Sequence, residues 1–127
     1  MAKYVDGFVL VVAKKNLEAY KEMATKASVV WKKYGALDYK ECVGEDLSPA
    51  MPEGAPEMPM SFPKMVNLAP DETVVFAYIT FESRAHRDEV NAKVMADPMM
   101  NEYENKEMPF DMKRMAYGGF EVLVDPF

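Results

Sequence analysis

Four residues of this chain are the ones best suited to proton transfer or charged recognition. Asp6 interrupts the apolar run YVDGFVLVV, His86 is the sole histidine, in SRAHRDE, and Asp111 and Arg114 stand three apart in PFDMKRM. An imidazole exchanges a proton near neutral pH and serves as general acid or base. A carboxylate inside an apolar strand must be paired or neutralised, which is also how working acids and bases are tuned. Asp111 and Arg114, flanked by Phe110 and Tyr117, could grip a polar group on a flat ligand. Asp6, His86, Asp111 and Arg114 are therefore the candidate catalytic residues.

Each also has a purely structural explanation. With Ser83 as cap, His86 falls in a first helical turn. There the helix dipole, Arg84 and Arg87 disfavour its protonation while Asp88 and Glu89 oppose them, so a neutral ring bonded locally suffices. Asp6 could pair with Arg84, Arg87 or Arg114, or stand at a strand end. Asp111 could cap a single turn. Gly118-Gly119 permits close backbone approach at the entry to a strand, and Trp31 and the tyrosines read as core.

Other chemistries are excluded or unsupported. One histidine and one cysteine, far apart, make no zinc or haem ligand set; only His86 with carboxylates is conceivable. Glycine-rich phosphate loops and nucleophile elbows are absent from the sequence, so no metal and no tightly held cofactor is expected. A net charge of -6 with interspersed signs argues against nucleic acid. Cys42, alone, forms no internal disulfide and fits a reducing cytosol; its strand position suggests a small buried side chain. The N-terminus does not read as a signal peptide, and no apolar run is long enough to span a membrane, so a cytoplasmic protein is expected.

These residues are positioned by elements that the pattern makes legible. A length of 127 residues, half of them hydrophobic, means one globular domain. Residues 4–12 read as a strand apolar at both parities. Leu17, Tyr20, Ala24, Ala27, Trp31 and Tyr34 then recur at helical spacing, with Asn16 as cap and Gly35 as left-handed terminator. A strand at about 37–44 sets Leu37, Tyr39 and Val43 against Asp38 and Lys40, the pattern of an edge. Residues 46–70 carry six prolines and several methionines, which predicts an extended, polyproline-like insertion lying across a surface or a partner. Residues 73–81 form a third strand, Ser83 caps a helix to about Ala96, and Asp97-Pro98 restarts a short helix to about Asn105. The last strand is expected at 119–124. The order β-α-β-loop-β-α-β implies an α+β, ferredoxin-like βαββαβ domain: a four-stranded antiparallel sheet with both helices on one face.

Two helices of about 10 Å width cover one face of a sheet roughly 20 Å wide, and no more. Three strands are nevertheless apolar on both sides, which leaves about 400 Å² of oily surface, near the limit for a monomer. At about 25 cal/mol per Å², covering it on two partners yields on the order of 20 kcal/mol gross, enough to offset association. The first expectation is a twofold homodimer packed sheet to sheet. The second is a return of the Pro/Met-rich loop over the same face. If Tyr4, Phe8 and Leu10 line the barrel between the sheets, Asp6 shares their parity and faces it too.

The blocks YVDGFVLVVAKKNLEAY, VWKKYGALDYKECVGED, SRAHRDEVNAKVMADP and MPFDMKRMAYGGFEVLVD together resemble the bacterial YbaA-like family, domain of unknown function 1428, over nearly the whole chain. The stretch DLSPAMPEGAPEMPM is longer or more variable than the family pattern. The resemblance implies a dimeric α/β barrel, in a superfamily that includes small monooxygenases, haem-degrading oxygenases, lactone isomerases and proteins without known activity. Fold alone selects none of these. Two functions follow as expectations. One is a homodimer binding a small, partly apolar metabolite in its barrel, with monooxygenase- or isomerase-like activity the finer possibility. The other is a non-catalytic regulatory or protein-interaction module docking through the Pro/Met-rich loop.

Overall fold

The computed structural model describes residues 2–48, 53–54, 59–103 and 106–127. Four strands, β1 (Tyr4–Ala13), β2 (Asp38–Val43), β3 (Glu72–Phe81) and β4 (Ala116–Glu121), form one antiparallel sheet in the order β2-β3-β1-β4. The long helices α1 (Leu17–Lys33) and α3 (Arg84–Ala96) pack on one face of it. This is the ferredoxin-like α+β arrangement, with the half-polar β2 at an edge.

The helix boundaries follow from their caps. Ser83 Oγ accepts from the His86 N–H at 3.1 Å and opens α3. Asn16 occupies the cap position of α1 without a side-chain bond, because a 3-10 turn over Lys14–Asn16 leads into the helix. Gly35 ends α1 at φ 108°, the left-handed conformation expected of it. Asp97 Oδ1 accepts from the Met99 N–H at 2.8 Å and starts a 3-10 helix, Pro98–Tyr103; the expected continuation to Asn105 lies outside the described residues.

Three expectations change. The Pro/Met-rich segment is not extended throughout: α2 (Phe62–Val66) forms inside it, with Ser61 Oγ accepting from the Lys64 N–H at 3.2 Å. Pro63 is tolerated because it sits in the first turn, where its missing N–H has no helical partner. The last strand begins earlier than the apolar run suggests and stops at Glu121, opposite Tyr4, where β1 itself begins. Beyond that pair a single bond, Val122 N–H to Lys3 O at 2.9 Å, continues the ladder. Cys42 is exposed, because the inward side chains of β2 are the odd-numbered ones.

The strands divide cleanly by parity. Leu10 and Val12 with Val75, Ile79 and Phe81 pack under α1 and α3. Tyr4, Asp6 and Phe8 share that parity, as expected, and so face the helices. The other face carries Val9, Val11 and Val74. At one end of it Val66 of α2, with Leu47 and Leu68, packs onto Val11 and Val74, so the second expected cover is present in part. Phe76 and Phe120 stay open, at 46% and 61% exposure.

Candidate functional site

Asp6 is buried at 4% exposure beneath α3. Arg87 Nη1 donates to Asp6 Oδ1 at 2.7 Å, and Asn91 Nδ2 donates to Asp6 Oδ2 at 3.2 Å. Asn91 Oδ1 in turn accepts from Trp31 Nε1 at 3.0 Å, so one chain of bonds ties β1, α3 and α1 together. The Arg87 guanidinium also lies 4.9 Å from the centre of the Tyr4 ring. Both carboxylate oxygens are occupied.

His86 lies at the other side of the same helix start. Its Nδ1 accepts from the Glu82 N–H at 3.0 Å, and its ring meets Phe81 edge-on at 6.0 Å between centroids. With Nδ1 accepting, a neutral ring carries its proton on Nε2. At the opposite end of β1, Asp111 Oδ1 accepts from the Lys113 N–H at 2.9 Å and opens the single 3-10 turn Met112–Arg114. Arg114 Nε donates to Asp111 Oδ2 at 2.7 Å, and its Nη2 donates to Glu72 Oε2 at 2.5 Å. The four candidate residues thus occupy three separate places, each within a local network, and the structure does not bring them together.

What the fold does form is a half-open cavity of about 220 Å³ between the sheet and α1. Its floor is Phe8 and Leu10 of β1 with Ala77 and Ile79 of β3, and α1 supplies Tyr20, Met23 and Trp31. The segment after α3 closes it with Met100, Tyr103, Met108, Phe110 and Met115. Among the described residues, Glu41 is the only charged one in this lining. Tyr20 donates its hydroxyl to Glu41 Oε1 at 2.6 Å, and Tyr39 donates to Glu41 Oε2 at 2.7 Å. Burial first, then the hydrogen bond to Glu41, pushes the Tyr20 phenol up; for Tyr39 burial leads and the Glu41 charge follows. Both phenols therefore stay protonated as donors. Tyr103 has a hydroxyl sealed from solvent with no hydrogen-bond partner among the described residues.

The same three residues, Tyr20, Tyr39 and Glu41, also line an open groove of about 530 Å³ between α1 and β2. They form the wall between groove and cavity. None of Asp6, His86, Asp111 and Arg114 lines either space. Sequence reasoning missed Glu41, although a signal existed: it sits at the inward parity of β2, between Tyr39 and Val43. A carboxylate at that parity is the same anomaly that drew attention to Asp6. Tyr103 carried no such signal, since its position depends on how the chain folds back after α3.

Among the described residues, no three or more of His, Cys, Asp and Glu converge as metal ligands, and no helix is long and apolar enough to cross a membrane. The family model described as "Protein of unknown function (DUF1428)" matches residues 3–112. The uncharacterized protein YbaA of Escherichia coli K12 is 44% identical over 123 residues, covering 97% of this chain and 98% of the relative. The YbaA protein of Shigella flexneri is equally similar. Among solved structures, a dimeric ferredoxin-like protein from an uncultured marine organism aligns with a TM-score of 0.58 at 10% identity, covering 98% of this chain and 99% of its own. That likeness extends to the fold. By its sequence, this chain belongs to the YbaA-like family, domain of unknown function 1428.

Proposed function

We propose that this protein binds a small, partly apolar metabolite in the cavity between its sheet and α1, as a homodimer paired through the opposite face of the sheet. One observation carries the ligand reading: about 220 Å³ of space bounded by rings and thioethers, with a single carboxylate among the described residues of its wall. Protein cores are packed like organic crystals and leave few voids larger than a water. At about 30 Å³ per water this space would hold roughly seven, enough for one ring with a short substituent. Apolar walls with a few fixed polar groups are the usual form of small-molecule sites. A monooxygenase- or isomerase-like step is the finer part of the reading; none of the four candidate acids, bases or cations lines the cavity, so binding is what the geometry supports.

The pairing is supported by the exposure of Phe76 and Phe120 and by Leu123, Val124 and Phe127, which stand almost wholly in solvent beyond β4. The structural neighbour with this fold is itself described as dimeric. The interaction-module reading keeps one observation of its own: Met60 and Met65 of the Pro/Met-rich segment are exposed. Met51 and Met58 lie outside the described residues.

Trp31, the sole tryptophan, lines the cavity and reports its occupancy. Titration with small aromatic and branched aliphatic compounds should change its emission saturably. Ala27→Phe, which places a ring in the cavity, should abolish the response while the circular dichroism spectrum is preserved. If no compound moves the emission, or if the filled variant binds as well as the parent, the cavity is not a binding site.

A further inference from the structure

Resting on the cavity reading above, we infer that the ligand is a small organic cation, an ammonium attached to an aromatic or branched apolar group, held by Glu41 within aromatic walls. The argument begins with how this protein treats its other inward carboxylates. Asp6 is paired with Arg87, Glu72 with Arg114 and Asp97 with Lys33. Glu41 has no cation within 4 Å among the described residues; it accepts only from the Tyr20 and Tyr39 hydroxyls. Lys40, its neighbour on β2, turns to the opposite face and pairs with Asp38. Glu41 is thus a half-buried carboxylate that, among the described residues, only phenols satisfy.

Two phenols orient a carboxylate without neutralising it. Each oxygen keeps a lone pair after accepting one bond. The charge stands in a wall where Tyr20, Tyr39 and Trp31 contribute aromatic rings, and Met23 and Met100 contribute polarizable thioethers. Rings attract cations through their quadrupole, most strongly when water is excluded, and an ammonium adds charge-assisted hydrogen bonds to a carboxylate. The Tyr103 hydroxyl, without a partner among the described residues, supplies a further acceptor in the same lining. A neutral ligand would use the rings and leave the charge uncompensated. An anion would meet Glu41 directly.

Benzylamine and benzyl alcohol have nearly the same shape and differ in charge at neutral pH. Followed by Trp31 emission and calorimetry, benzylamine should bind the native protein about tenfold or more tighter than benzyl alcohol. Glu41→Gln should remove that preference. The native comparison needs no variant, so a poorly folding Glu41→Gln does not block it. If the alcohol binds as well as the amine, or if Glu41→Gln keeps the amine preference, the cation assignment is wrong while the cavity remains a ligand site. If neither compound binds, both readings fall together.

Discussion

Arg87 reaches Asp6 at 2.7 Å across 81 residues of chain, beneath a helix that also presents Asn91 to the same carboxylate. The pair joins the first strand to the second long helix, with Asp6 almost fully buried and Arg87 largely so. Removing one partner of such a pair leaves an uncompensated buried charge, which costs about 3 kcal/mol or more. Asp6→Ala and Arg87→Ala should each destabilise by about that amount in urea unfolding. The double variant should lose clearly less than the sum of the two. Strict additivity would mean that the two groups act independently.

Gly119 faces Asp6 across the β1–β4 ladder, and the Tyr4 ring lies over it. A Cβ at this position would meet Tyr4 Cε2 at 2.7 Å and collide with its hydroxyl. The ring cannot yield freely, because its face carries Arg87. Gly119→Ala should therefore cost about 1–3 kcal/mol through overpacking, seen as a lower melting temperature. Gly119→Ala combined with Tyr4→Ala should lose no more than Tyr4→Ala alone. A full additional loss would place the strain elsewhere.

Acid should unfold this protein through identified carboxylates. The Arg114 guanidinium, followed by a backbone N–H, holds Glu72 and Asp111 below the usual carboxylate range. The Tyr34 hydroxyl and then the Met99 N–H do the same for Asp97. Native values below the unfolded ones mean that the unfolded chain binds more protons in acid. Stability is then fully present above about pH 4–5 and falls as pH drops through the native values. Urea midpoints should be level from pH 5 to 7 and decline below about pH 4. Arg114→Met should lower the midpoint more at neutral pH than at pH 3. Equal losses at both pH values would show that these pairs carry no pH-linked stability.

How much of this was legible in the sequence depends on what each residue answers to. Parity and capping are local, so strand order by type, the long helices, Ser83, Gly35 and the edge character of β2 could all be read along the chain. The direction of a parity is not local. The sequence groups Tyr4, Asp6 and Phe8 on one face, but strands apolar on both faces do not tell which face the helices take. The end of β4 was misplaced for a related reason: its length is set by where β1 begins, 117 residues earlier for the pair Tyr4–Glu121. Asp6 was legible as an anomaly and Arg87 as one of its three possible partners. Asn91 and Trp31, which complete that network, looked like ordinary helix residues. Glu41 was written into the pattern of β2 and passed over because β2 was already half polar.

The uncovered face of the sheet yields the last expectation. Phe76 and Phe120 lie on it exposed, α2 packs at the Val11–Val74 end, and Cys42 stands exposed on the same side. Apolar surface of this kind is removed from water most simply by a second copy in a twofold arrangement, which covers the same patch on both chains at once. Sedimentation at micromolar concentration should then give twice the 14.4 kDa of one chain. Phe120→Glu, whose charge would be buried by the pairing, should shift the species to the single-chain mass with an unchanged circular dichroism spectrum. The Cys42 thiol supplies an independent reading: it should react slowly with a bulky disulfide reagent in the native protein and much faster in Phe120→Glu. A native protein that sediments as one chain, with a freely reactive Cys42, would rule the pairing out.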